Sequence, residues 1–206
     1  RQRQMCIRDR FFLARILGAL YFINNIDDKD LVARSRRSLI GNSVLFLVFF
    51  LSFVIRTLLA DGYAVNPETG EVFMEPYKYL TNFIEMPLVL VLFLIGVVLV
   101  LFGIGKSLLK TKFDKGIWFT GVGTVLAVLS LLLVAGYNNT AYYPSTNDLQ
   151  SSLTLANSCS SQFTLRVMFY VSFLVPFVLA YIFYAWRSID IHKISEKEMK
   201  DGGHAY

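Results

Sequence analysis

The side chains best suited to redox or metal chemistry stand far from any partner. The two histidines, His192 and His204, lie close to the end of the chain. The two cysteines, Cys6 and Cys159, match no metal or redox spacing. A disulfide between them is compatible with the sequence but has nothing in its favour. Met86 and Met168 are soft donors near the ends of apolar runs, and neither has a histidine in those runs to pair with. Gly103-Ile104-Gly105-Lys106 has a phosphate loop's residue types without its strand or spacing. No paired carboxylates or nucleophile elbow appear. Two isolated charges remain. Arg56 sits one turn from the end of an apolar run, where it can snorkel to the interface. Its sharper reading is contact with an anionic lipid, a quinone head group or a partner carboxylate. Glu85 stands one residue before another run, facing head groups or, on the sharper reading, relaying protons or binding a partner's cation.

The elements that must position these residues are long apolar blocks. The chain of 206 residues is 55% hydrophobic and only 17% charged, against about 25% in a soluble domain. A helix rises about 1.5 Å per residue, so some 20 residues cross a bilayer's hydrocarbon core of about 30 Å. Four runs are long enough: 39–60, 86–105, 117–136 and 167–186. A fifth, 11–23, is apolar but short and reads as the last part of a further span, with a short interfacial helix as the alternative. The fold class is therefore all-α, a polytopic transmembrane helix bundle of one partial and four complete helices. Gly121, Gly123 and Ser130 let the third complete span approach its neighbours closely. Pro176 should kink the last one.

Residues 1–10 are unlike the rest and read as an artefact or foreign terminus. The rival reading is the basic start of a signal peptide, but no small-residue cleavage site follows. The segment contains four Arg and one Asp, so the net charge of +5 falls to +2 without it. Nucleic-acid binding is rejected, because the basic residues sit at helix ends.

Orientation follows from the cations. The polar stretches 24–38 and 106–116 and the tail 187–206 hold four Lys or Arg each, whereas the loops 61–85 and 137–166 hold one each, Lys78 and Arg166. The positive-inside rule places the first set, and with it the C-terminal tail, in the cytoplasm. The two long loops then face outward. Asn66-Pro67-Glu68-Thr69-Gly70 carries turn chemistry in the first of them, with a small hairpin expected around it.

Several short motifs occur in a recognisable order. Asp61-Gly62-Tyr63 follows the first full span, and Asn82-Phe83 with Pro87 precedes the second. Pro144-Ser145-Thr146, Ser152-Leu153-Thr154 and Ser160-Ser161-Gln162-Phe163-Thr164-Leu165 lead into the last span, which carries Met168, Val175-Pro176, Tyr181 and Trp186. In these the chain resembles the second half of subunit II of the cytochrome bd-type quinol oxidases, over about residues 11–200.

The resemblance implies a subunit of eight helices in two related four-helix bundles, here represented by the end of helix four and helices five to eight. It implies membership of a bacterial inner-membrane quinol:O₂ oxidoreductase that makes the membrane potential. Under it this chain contributes no catalytic residue and no cofactor, and haem b and haem d belong to subunit I. Expected partners are subunit I, membrane lipids and quinone, with a small third subunit left open. The acidic residues that the family uses for proton delivery lie in its first half, so none is carried over. Glu85 stands where the family often has an uncharged polar residue and receives no role. Candidate family-motif or interface residues are Arg56, Asp61, Gly62, Tyr63, Glu85, Pro144, Ser152, Thr154, Pro176 and Trp186. The rival readings are half of a membrane transporter built from repeated helix bundles, and a structural membrane partner without redox function. Transporters tend to show broken, polar helices at the midplane. Only Pro176 and the glycines of the third span point that way.

Overall fold

The structure, a computed structural model, describes residues 2–110, 113–190 and 194–195, with side chains described over 9–110 and 113–188. His192, His204 and most of the expected tail lie outside the described residues, as does the Cys6 side chain. Helix α1 is Gln2–Asn25, and a two-residue strand β1, Ile26–Asp27, leads to α2, Lys29–Leu59. A hairpin of β2, Gly62–Val65, and β3, Val72–Glu75, precedes α3, Lys78–Glu85. Then come α4, Pro87–Leu109, and α5, Gly116–Gly136. After a single 3₁₀ turn, Leu149–Ser151, follow α6, Leu155–Ser158, α7, Gln162–Ser172, and α8, Val175–Asp190. Strand β4, Ile194–Ser195, pairs in parallel with β1. Among the described residues, four helical segments are long and apolar enough to span a membrane: Lys29–Leu59, Pro87–Leu109, Gly116–Gly136 and Gln162–Ser188. This is a multi-pass, all-α membrane bundle.

Two stretches differ from the sequence expectation. The polar connector 24–38 is mostly helix. The Asp28 carboxylate caps α2 by accepting from the amides of Asp30 (2.8 Å) and Leu31 (3.2 Å). No Gly or Pro interrupts 29–38, so α2 extends polar turns beyond the apolar run and the true connector shrinks to Ile26–Asp28. The apolar segment 11–23 likewise lies inside a longer helix that reaches back to Gln2, because residues 2–10 contain no helix breaker.

The last span also differs in detail. Ser161 caps α7, its hydroxyl accepting from the Thr164 amide (3.4 Å), so helix begins at Gln162, inside the expected loop. The helix then breaks at Phe173-Leu174, ahead of Pro176. There the amides bond three residues back, to Tyr170 (3.2 Å) and Val171 (2.9 Å). Pro176 has no N–H to return to Ser172, so the ladder restarts in α8 with the proline in its first turn.

Helices α4 and α5 pack most closely. A β-carbon on Gly96 would lie 2.7 Å from the Ala127 nitrogen, and one on Gly123 would lie 2.6 Å from the Gly96 carbonyl oxygen. With no side chain at either glycine, the two backbones meet directly. Gly121, expected as a packing residue, faces open space. Helix α1 joins α2 and α4 through Ile16, Leu20, Leu39, Phe46, Val100 and Ile104, with Ile117 of α5 packed against them. Arg36 staples α2 to α4 at this connector end. Its Nη1 donates to the carbonyls of Ser107 (2.6 Å) and Lys110 (3.2 Å), at the negative end of the α4 dipole.

Candidate functional site: a folded cap over one end of the bundle

At the other end, the two long loops and α3 fold together. The hairpin β2–β3 is antiparallel, pairing Gly62 with Glu75 and Val65 with Val72. Its turn uses Gly70 at φ 74°, and Asn66 closes it by bonding Gly70 and Glu71. Gly62 is required by close approach, since a β-carbon there would sit 2.5 Å from the Lys78 β-carbon. Lys78 is buried and its ammonium reaches Glu75 at 3.2 Å.

Helix α3 lies across the bundle. A straight helix would separate Phe83 from Phe93 by about 15 Å along its axis. Their ring centroids are 5.4 Å apart, so the chain turns at Met86-Pro87 and α3 folds against α2, α4 and α5. Its buried face carries Lys78, Asn82 and Phe83. Burial, and next the neighbouring Tyr63, raise the pKa of the Tyr79 phenol above its ordinary value.

The polar centre of the cap is Asn82, which is fully buried. Its Nδ2 donates to the Val134 carbonyl and to Thr140 Oγ1, both at 2.9 Å. Asn138 Nδ2 donates to Asn82 Oδ1 at 3.2 Å and also to the Glu85 carboxylate. Asn138 and Asn139 both adopt the left-handed conformation, which asparagine tolerates best among residues with a β-carbon. That reversal carries the chain from α5 back across the hairpin. Val65 donates to Asn139 (2.8 Å) and Ala141 donates to Tyr63 (2.9 Å). Gln150 then pairs with the backbone of β3 as a strand would. Its Oε1 accepts from the Val72 amide and its Nε2 donates to the Val72 carbonyl, both at 3.0 Å.

The motif residues fall into two groups. Gly62, Tyr63, Glu85, Ser152 and Thr154 belong to the cap. The buried Ser152 hydroxyl donates to the Leu149 carbonyl (2.6 Å) and accepts from the Ser145 amide (3.0 Å), so it closes the turn after half-buried Pro144. Thr154 forms a reciprocal capping box with Asn157 at the start of α6. Asp61 is exposed just before the hairpin, and Arg56 is exposed in the last turn of α2. Pro176 and Trp186 lie apart, on the last span. Apart from half-buried Ala185 that span is exposed along its described length, and it meets the rest of the bundle through Trp118 and Phe183, with ring centroids 6.5 Å apart.

Sequence reasoning picked out Asn82 only as part of a short motif, without a role, and missed Asn138, Thr140 and Gln150 as joints of the cap. The readable signals were the Asn138-Asn139 doublet and the helical spacing of Lys78, Tyr79, Asn82 and Phe83. Between the spans lies an apolar cavity of about 330 Å³, lined by residues including Phe46, Phe50, Phe53, Val97, Leu131 and Ala135. Such a space suits a hydrocarbon chain. Among the described residues no group of three His, Cys, Asp or Glu side chains is placed to hold a metal, and the Cys159 thiol is free and exposed.

Fold and site together define a polytopic membrane helix bundle: close-packed apolar helices, a hydrogen-bonded cap, and a last span that is almost wholly exposed and meets the rest through Trp118 and Phe183. The chain matches the family model of cytochrome bd terminal oxidase subunit II over residues 7–189, and it belongs to that family. It is similar to cytochrome bd-I ubiquinol oxidase subunit 2 of Escherichia coli K12 and of Escherichia coli O157:H7, at 33% identity over 136 residues in each case. Those residues are 65% of this chain and 34% of each relative, so the match spans about a third of the relatives' length.

Proposed function

We propose that this chain serves as the subunit II bundle of a bd-type quinol oxidase in the bacterial cytoplasmic membrane, with its C-terminus in the cytoplasm. The complex passes electrons from quinol to O₂ and makes water. The observation that carries this reading is the family match across residues 7–189. No observation favours the transporter alternative.

Haem b and haem d, held by subunit I, supply the electron transfer and the reduction of O₂. The residues of this chain do not fit as their ligands, because its spans contain no histidine. Its own contribution is packing. The α4–α5 pair forms a stiff core, the cap ties the loop ends together, and the bare face of Gln162–Ser188 seats against a neighbouring subunit. The cavity beside Phe50 and Phe53 accommodates a lipid acyl chain or an isoprenoid quinone tail.

The test is co-purification from native membranes with a tag on this chain. Recovery of a haem-bearing polypeptide in a fixed ratio is the expected result. Recovery of the chain without any haem-bearing partner, under detergent conditions that preserve other respiratory complexes, would overturn it.

A further inference from the structure

The connector end of the bundle carries a cation that the packing does not use. Lys106 lies in the last turn of α4, and its Nζ sits 4.8 Å from the Phe102 ring centroid and 4.5 Å from that of Phe113. Two rings hold one ammonium by their negative faces, which fixes its position without neutralising it. Phe119 braces the pair, 5.3 Å from Phe102 and 6.1 Å from Phe113. Among the described residues no carboxylate lies within ion-pair distance of Lys106.

The neighbours add positive potential. Arg36 is anchored on the Ser107 and Lys110 carbonyls, within one turn. Lys110 and Lys115 are exposed. Helix α5 begins at the buried Gly116 with no side-chain cap, so the positive end of its dipole adds to the potential at the same connector. Asp114, the acidic residue there, is half-buried and already engaged. Directly beside the cations the surface is apolar and exposed: Leu109 at 86%, Trp118 at 51%, and Phe102 and Phe119. A free anion would match the charges and leave that surface unused. An amphiphile with a phosphate at one end and acyl chains at the other matches both.

We propose that Lys106, held between Phe102 and Phe113, is the centre of a binding site for the phosphate head group of an anionic phospholipid in the leaflet facing the α4–α5 connector. Lys110 and Lys115 complete the head-group side, and Trp118 and Leu109 flank the acyl chains.

The experiment is native mass spectrometry on the chain in its purified membrane complex, titrated with phosphatidylglycerol or phosphatidylcholine. One phosphatidylglycerol should be retained in preference to phosphatidylcholine. Lys106→Gln should weaken it about fivefold, in line with the contribution of one cation near a membrane surface. Lys106→Arg should preserve it, because a guanidinium also stacks on rings. Phe113→Leu should weaken it about twofold by releasing the ammonium. Millimolar inorganic phosphate should leave it bound. Equal retention of the two lipids, unchanged binding in both Lys106→Gln and Phe113→Leu, or displacement by inorganic phosphate would each overturn the proposal. The Lys106→Arg and Phe113→Leu pair reads the site even if Lys106→Gln is not recovered intact.

Discussion

Replacing Asn82 with alanine removes the joint between α3, the end of α5 and the second loop. Three hydrogen bonds are lost: two donated at 2.9 Å, to Val134 and Thr140, and one accepted from Asn138 at 3.2 Å. The Thr140 hydroxyl keeps its bond to the Asn138 carbonyl (3.2 Å), so its loss is small. The Val134 carbonyl loses the Asn82 donor in a buried setting, at a cost of about 1–3 kcal/mol. The expected penalty is therefore about 2 kcal/mol, or roughly 30-fold in the opening equilibrium at about 1.4 kcal/mol per tenfold. Hydrogen exchange of the folded complex reads this directly, because the Val65 and Ala141 amides are bonded across the cap. Peptides covering 62–75 and 137–143 should both exchange about 30-fold faster in Asn82→Ala, while those from α4 stay unchanged. Thr81→Ala, which loses only a bond to Tyr77 within its own turn, should change exchange less than threefold. Unaltered protection in the two cap peptides, or loss confined to α3, would refute the reasoning that one buried amide couples the loops.

Gly96→Val should lower the thermal stability of the chain in detergent by about 1–3 kcal/mol, since its β-carbon would meet the Ala127 nitrogen at 2.7 Å. Gly121→Ala, with open space around it, should stay within about 0.5 kcal/mol in the same melt. Arg36→Met should free the end of α4 at a cost of about 1 kcal/mol, reduced by partial exposure, and should raise exchange in peptides covering 104–110. Gln150→Leu should speed exchange at β3 by up to about fivefold, because the two bonds to Val72 are lost at a partly solvated edge.

The all-α membrane-spanning class was legible because apolar runs with no charge in their middle have few alternatives in water or lipid. The polar ends of helices were not. Residues 29–38 look like a connector by composition, and only the Asp28 cap reveals that they continue α2. Helix α3 was hidden by its length of eight residues and by polar residues on its buried face. The cap depends on pairs far apart in sequence, such as Asn82 with Thr140 and Gln150 with Val72, which no local pattern records. Ser152 and Thr154 were found through the family resemblance, and the structure gives them a local reason: one closes a turn and the other caps α6. Small residues identified α5 as a packing helix, and Gly123 and Ser130 are buried as expected, but Gly121 faces open space and Gly96 on the opposing helix was overlooked.

The most direct test of the subunit assignment is a reduced-minus-oxidised absorption spectrum of three samples from the same host: the complete membrane complex, membranes from a strain lacking this gene, and the isolated chain. The assignment predicts haem d absorption in the complex, its loss when the gene is absent, and no haem signal from the isolated chain. A haem spectrum from the chain alone, or full haem d in membranes without it, would contradict the assignment.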